Sequence, residues 1–131
     1  MIDIANLPHI VMGSCMEVHR ELGPGWDAIA YRAALARELR MREIFFQLNA
    51  PLHISYKGEA LETSVTLDFV VEQKLVVLVH ALPLGFEPVH KQRLTSYLLH
   101  GGYASGFLLN FDVSDLRDGV KRVVLRSAEM S

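Results

Sequence analysis

Cysteine is almost absent from the chain, because only one of its 131 residues, Cys15, carries a thiol. A single thiol excludes an internal disulfide and a zinc site built from cysteines, so a reducing, cytoplasmic setting is expected. An excess of charge is also absent: 13 lysines and arginines stand against 15 aspartates and glutamates, which gives a formal net charge of −2. Bulk charge therefore gives no support to nucleic-acid binding through phosphate contacts.

Long apolar runs are lacking as well, and the chain starts without a basic segment. We therefore expect neither a membrane span nor a signal peptide. No repeat, glycine-rich phosphate loop or serine nucleophile elbow is present. Hydrophobic residues are abundant, at 50% of the sequence, and mean hydropathy is +0.21. This composition predicts a single domain over residues 1–131, with a filled core and apolar surface left for a protein partner or a second copy.

The periodicity of apolar residues predicts an α/β fold. Helices are predicted over 7–22, 27–43 and 88–100, and strands over 45–56, 61–71, 75–81, 104–111 and 120–126. Pro51 is a candidate break in the first strand, and Lys57-Gly58-Glu59 reads as a turn. The third strand is apolar on both faces except at His80, so it is expected at the centre of the sheet. The order α-α-β-β-β-α-β-β predicts a central mixed sheet of four to five strands flanked by helices.

Several short motifs of this chain are similar, in their order and spacing, to the motifs of one bacterial family. The motifs are Glu17–Gly25 (EVHRELGPG), Tyr31, Leu67–Val71 (LDFVV), Pro88–His90, Tyr97-Leu98 and Leu108–Phe111 (LLNF). Together they resemble the GxxExxY family, a group of small proteins assigned to the PD-(D/E)XK nuclease-like superfamily, over about residues 10–125. The resemblance implies the PD-(D/E)XK nuclease-like fold for this chain.

The resemblance also implies a set of site positions. In the family these are a helix glutamate, a strand aspartate, a Glu-x-Lys on the next strand, and a helix glutamine four residues before a tyrosine. The carboxylates would hold Mg²⁺ or Mn²⁺, which prefer oxygen ligands, and the metal would polarise the phosphate. The lysine would stabilise developing charge. In Glu-x-Lys the two side chains share one face of the strand, because strand side chains alternate.

This chain departs from that pattern at most of these positions. The glutamate position is Ala28, the Glu-x-Lys position reads Leu78-Val79-His80, and the glutamine position is Arg93, four residues before Tyr97. Of the five polar positions only Asp68 keeps its residue type. Because alanine and leucine cannot ligate a cation, we expect no nuclease activity and no retained divalent metal cofactor.

Asp68 and His80 are the most specific candidate pair of functional side chains left in the chain. They share a face of the sheet if the loop Glu72-Gln73-Lys74 has three residues and places Asp68 opposite position 78. Two interpretations stand. The pair can bind a metal or act as acid and base. Alternatively, Asp68 is a structural relic that accepts a hydrogen bond from His80 or Arg93, which is the favoured interpretation because two ligands rarely make a metal site.

Other polar and aromatic residues have plainer interpretations. His19 and His90 are expected to bond backbone rather than to bracket a cleft, and Cys15 is expected to be a buried small hydrophobe. Trp26 is either a packing anchor or a surface anchor for a partner.

Three functions follow in order of preference. The first is an interaction or scaffold module built on a degenerate nuclease-like domain, with a homodimer as a candidate state. The second is a non-catalytic nucleic-acid binder that uses basic residues, namely Arg32, Arg37, Arg40, Lys91, Arg93 and Lys121. The third is an enzyme with a remodelled site around Asp68, His80 and Arg93.

Overall fold

The computed structural model of the protein describes residues 4–63 and 65–126. Its helices are α1 (Leu7–Leu22), α2 (Ala28–Met41) and α3 (Pro88–Gly101). Its strands are β1 (Phe46–Pro51), β2 (Ser55–Tyr56), β3 (Glu59–Ala60), β4 (Thr66–Val71), β5 (Leu75–His80), β6 (Ser105–Asn110) and β7 (Val120–Val124). Short 3₁₀ turns cover Ile4–Asn6 and Leu116–Gly119. None of the helices in these ranges is long and apolar enough to cross a membrane.

One five-stranded sheet forms the centre of the fold, in the spatial order β1-β4-β5-β6-β7. β5 and β6 run parallel and are connected through α3, whereas the other neighbours are antiparallel. β5 lies in the middle, and its first five residues are buried. The predicted α/β fold, with a mixed sheet and a central third strand, is therefore confirmed.

Helices cover both faces of the sheet. α1 and α2 pack on one face in a cluster that includes Phe69, Val77 and Leu109. α3 packs on the opposite face in a second cluster that includes Leu78 and Leu108. Successive residues of β5 alternate between the two clusters, as strand geometry requires. His80 ends the strand, so its register places it on the α3 face together with Leu78.

The boundaries of α3 follow from local chemistry. Glu87 precedes the helix and forms a reciprocal capping box with His90, and Pro88 occupies the first turn, where its missing N–H is harmless. Gly102 ends the helix in the left-handed conformation, at φ 78°. Asp27 takes the N-cap position of α2 as predicted, but its side chain makes no capping hydrogen bond.

The predicted strands over 45–56 and 61–71 are wrong in their extent. The first ends at Pro51, and the second begins only at Thr66. Between them, β2 and β3 pair only with each other, through a turn at Lys57 and Gly58 in which both residues have positive φ. Pro51 still pairs with Thr66, and the N–H of Leu52 bonds the carbonyl of Val65 at 3.0 Å, so the pairing of the two segments ends just beyond Pro51 although apolar residues continue.

Candidate functional site

The β4–β5 hairpin positions the candidate site. Its turn has the three residues Glu72–Lys74, because Val71 pairs with Leu75. Glu72 and Gln73 adopt positive φ of 52° and 58° without being glycines. The pairing of Phe69 with Val77 brings Asp68 level with Leu78. The expected register is confirmed, although the turn lacks the glycine that usually marks such loops.

Asp68 is half-buried, and its carboxylate bonds to the backbone of the neighbouring strand. Its Oδ2 accepts a hydrogen bond from the N–H of Val79 at 2.8 Å. Nowhere in residues 4–63 and 65–126 does a hydrogen bond join this carboxylate to His80 or Arg93. The expectation that one of those two side chains would be the donor is therefore wrong. The main chain supplies the donor because the side chain lies beside a strand whose N–H would otherwise be buried unpaired.

Hydrocarbon occupies two of the positions at which the resemblance implies metal-binding carboxylates, and one of them, Leu78, is level with Asp68. Leu78 is 6% exposed and belongs to the cluster beneath α3. Ala28 is the first residue of α2 and is partly buried. Neither side chain can ligate a cation. Among the described residues these positions supply one carboxylate, and no three His, Cys, Asp or Glu side chains are grouped around it, so the donor set does not fit a divalent metal.

Three rings pack together at the end of β5. The His80 ring lies edge-on to Phe86 at 5.8 Å between centroids and to His90 at 5.3 Å. The rings of Phe86 and His90 also contact each other, with their centroids 5.6 Å apart. His90 Nδ1 accepts the N–H of Glu87 at 2.9 Å, which holds this ring in the capping box and confirms that it bonds backbone.

The electrostatic surroundings of His80 disfavour its charged form. Burial is the main cause that lowers the pKa of this imidazole, and the nearby His90 lowers it further. The Asp68 carboxylate opposes this shift, whereas Arg93 and Arg32 reinforce it. These surroundings favour the neutral imidazole of His80, and the two arginines outnumber the one carboxylate that acts on it.

Arg93 and Tyr97 of α3 complete the sequence-predicted set. Arg93 is exposed and takes part in no ion pair within the described ranges. Tyr97 is half-buried and packs against the α3 cluster. Arg32 was not singled out for this site, although it lies one helical turn after Ala28 and contributes to the field at His80. The spacing of four residues on α2 was the available signal.

Asn110 is a second residue that sequence reasoning left unassigned. Its side chain is 2% exposed, accepts the N–H of Leu82 at 2.8 Å and donates to the carbonyl of Leu82 at 3.0 Å. It also accepts the N–H of Asp112 at 3.1 Å. These bonds fix the loop that follows His80. A polar residue inside the apolar run 107–111 was the signal for it.

Tyr31 holds the glycine turn in front of α2. Its hydroxyl donates to the carbonyl of Gly23 at 2.6 Å and accepts the N–H of Trp26 at 3.3 Å. Its ring stacks on Phe111 at 4.6 Å between centroids. This tyrosine therefore positions the start of α2, where Ala28 lies, and does not itself enter the candidate site. Trp26 is 54% exposed, which removes it from the core.

The remaining candidates lie away from Asp68. Cys15 is fully buried, and burial raises the pKa of its thiol to about 12, so it is the inert small hydrophobe expected. His19 Nε2 bonds the carbonyl of Val113 at 2.8 Å, which confirms its backbone role. In the part of the chain described, no three His, Cys, Asp or Glu side chains are grouped so that they could hold a metal.

Comparison with known proteins gives one match. The family model described as PD-(D/E)XK nuclease superfamily matches residues 5–123, which is most of the chain. No curated protein and no solved structure matches the chain significantly. The three helices and the mixed five-stranded sheet are consistent with the fold of that superfamily. The chain belongs to the PD-(D/E)XK nuclease superfamily.

Proposed function

We propose that this protein is a catalytically degenerate member of the superfamily, of the GxxExxY type, and that it acts as an interaction or scaffold module. The observation that carries the proposal is the pairing of Asp68 with the N–H of Val79 at 2.8 Å beside a buried Leu78. A metal-dependent phosphodiesterase needs at least two oxygen ligands held open toward substrate. Here one carboxylate bonds the backbone, and its neighbour is hydrocarbon.

Exposed apolar side chains near this region support the interaction role. Leu84 is fully exposed in the loop after β5, and Val89 follows at 41% exposure on α3. Both line one shallow depression of about 380 Å³ together with His90 and Arg93. Trp26 and Ile29 add further exposed apolar surface around the start of α2. Surface of this kind is typical of contact with another protein.

The first test is cleavage of DNA and RNA by the purified protein with Mg²⁺ or Mn²⁺. We expect no cleavage. The Asp68→Ala variant, purified in the same way, separates intrinsic activity from a contaminating nuclease. If the wild type cleaves nucleic acid and Asp68→Ala does not, the hypothesis that the protein has lost nuclease activity is refuted.

The second test addresses the scaffold role through the oligomeric state. A homodimer has an apparent mass of about 29 kDa in light scattering, twice the 14.7 kDa of one chain. Ile29→Ser and Leu84→Ser probe the exposed apolar surface, and a shift to monomer in either variant locates the contact. A strict monomer with no large exposed apolar patch counts against this role.

A second candidate function, nucleic-acid binding without cleavage, is favoured by one observation. Arg32 and Arg93 both contribute to the field at His80 and outnumber the one carboxylate that does so, Asp68. Fluorescence anisotropy with labelled DNA and RNA tests it: binding that weakens with salt and with Arg93→Ala supports this function. A remodelled enzyme around Asp68, His80 and Arg93 is the third candidate. A metal present in stoichiometric amount in the purified protein is the result that favours it.

A further inference from the structure

A groove of about 630 Å³ lies between α3 and the edge strand β7. Phe86 provides an aromatic surface in it, Lys91, Thr95 and Ser96 line it from α3, and Lys121 lines it from β7. Thr95 lies four residues after Lys91 and Ser96 follows Thr95 directly, so the three residues lie on one side of the helix. The Lys121 ammonium stands 5.9 Å from the centroid of the Phe86 ring.

β7 leaves one side open to pairing. It pairs with β6, and in the ranges described no other strand lies beside it. A strand presents backbone donors and acceptors on both sides, so its outer side offers an unpaired row. Lys121 alternates with Val120 and Arg122, and Val123 lies on the same face as Lys121, in the α3 cluster. A strand added to this edge would continue the sheet beneath the groove-lining face of α3.

The positive charge around the groove favours an acidic partner. Lys91 and Lys121 stand against Glu87, whose carboxylate already accepts the N–H of His90 in the capping box. Arg122 adds a positive charge on the other face of β7, at 5.8 Å from the Phe107 ring. Neither lysine nor Arg122 has an ion-pair partner in the described part of the chain. Pairing of β7 with β7 of a second copy would bring these basic side chains together, which is unfavourable.

We propose that the outer edge of β7 and this groove bind an extended, acidic segment of a partner protein by strand addition. Main-chain hydrogen bonds to β7 provide the affinity, and alternate side chains of the segment enter the groove. The side chains that face Lys91 and Lys121 are acidic, and an apolar side chain covers Phe86. This inference rests on the proposed role as an interaction module and names the chemistry of its partner.

The test is selection from a phage-displayed library of random peptides of about ten residues, the upper length of a typical strand. The wild-type protein is expected to enrich peptides with acidic residues at alternate positions. The Lys121→Glu variant is expected to lose them, and Lys57→Glu, which reverses an exposed lysine on the β2–β3 hairpin, is expected to retain them. Failure to enrich acidic peptides overturns the proposal.

Binding of a selected peptide, measured by anisotropy, then locates the contact. Ser96→Trp fills the groove and Ser96→Ala does not, so only the first is expected to weaken binding, by about tenfold or more. N-methylation at alternate peptide residues blocks the N–H groups on one side of a strand. We expect one of the two alternating sets to abolish binding and the other to leave it unchanged.

The peptide-binding results decide whether the proposed docking site exists. Binding that survives both Lys121→Glu and Ser96→Trp, or that responds equally to the two N-methylated sets, overturns it. These outcomes are separate from those of the nuclease assay. If the protein cleaves nucleic acid and still binds the acidic peptides, the hypothesis of lost nuclease activity is refuted and the docking site is supported. If it neither cleaves nucleic acid nor binds the peptides, only the docking site is refuted.

Discussion

Replacing Asp68 with alanine distinguishes a structural carboxylate from a metal ligand. In the wild type the carboxylate accepts the N–H of Val79, a residue that is 2% exposed at the centre of the sheet. Alanine leaves that N–H without this acceptor in a place that water does not easily reach. A carboxylate kept only for a metal behaves differently, because in the metal-free protein its removal relieves desolvation and costs little.

The magnitude follows from the type of bond that is lost. A hydrogen bond to a charged group contributes about 1.5–3 kcal/mol, and an unpaired buried donor carries a penalty of about 1–3 kcal/mol. We therefore expect Asp68→Ala to lower the free energy of unfolding by about 2 kcal/mol, or the Tm by roughly 5–15 °C for a chain of this size. Asp68→Asn keeps an oxygen acceptor and is expected to lose about 1 kcal/mol or less, which is the charge-assisted part.

Urea unfolding followed by far-ultraviolet circular dichroism measures these differences, in EDTA and again with Mg²⁺. Asp118→Ala is the matched control, because Asp118 is exposed and should change stability by less than about 0.5 kcal/mol. The expected order of stability is wild type, Asp68→Asn, Asp68→Ala, and Mg²⁺ should not alter it. An alanine variant as stable as the wild type in EDTA, or a wild type stabilised by Mg²⁺ that loses this response in both variants, refutes the structural role.

Three further predictions concern the surroundings of the site. Tyr31→Phe removes a hydroxyl with two backbone partners and should lower the free energy of unfolding by about 1–2 kcal/mol in urea, with the sheet unchanged by circular dichroism. Gly119→Ala would force a Cβ into the backbone carbonyl of Asn110 and should destabilise by about 3 kcal/mol or more, whereas Gly13→Ala, within α1 and free of such a clash, should be neutral or stabilising. His80 has a lowered pKa in the folded protein, so the unfolded chain binds its proton first as pH falls. Stability from His80 is therefore complete above its ordinary pKa of about 6.5 and declines below it, and His80→Gln should flatten the unfolding free energy between roughly pH 5 and 7.

Local patterns were sufficient for most of the fold. The 3.6-residue periodicity of α1 and the glycine turn after it place the first helix at its observed bounds, Leu7–Leu22. The all-apolar run of β5 indicated a strand covered on both faces, and the sheet places it centrally. These features depend on neighbours in sequence, and such neighbours are visible in the sequence itself.

Features that depend on distant neighbours could not be predicted in the same way. Pro51 and the turn at Lys57 were recognised in the sequence, but the apolar pattern continues into Ile54 and did not reveal that β2 and β3 pair only with each other. The partner of Asp68 was assigned to a side chain, because the sequence does not show that the N–H of Val79 lies within reach. The two hydrogen bonds between the side chain of Asn110 and the backbone of Leu82 join positions 28 residues apart, and only the packed sheet brings these residues together.

The hydrocarbon at position 78 and the backbone bond of Asp68 have a common physical basis. Two carboxylates on adjacent strands repel each other unless a cation lies between them, so a metal site is stable only with its metal. With Leu78 opposite, the remaining carboxylate has no like charge beside it and can accept the N–H of Val79, while the leucine gains about 1.5–3 kcal/mol from burial beneath α3. The arrangement that lacks a second ligand is therefore also one that needs no ion to be stable. In this protein Leu78 belongs to the cluster beneath α3, and Asp68, half-buried beside it, is tied to the backbone of the central strand.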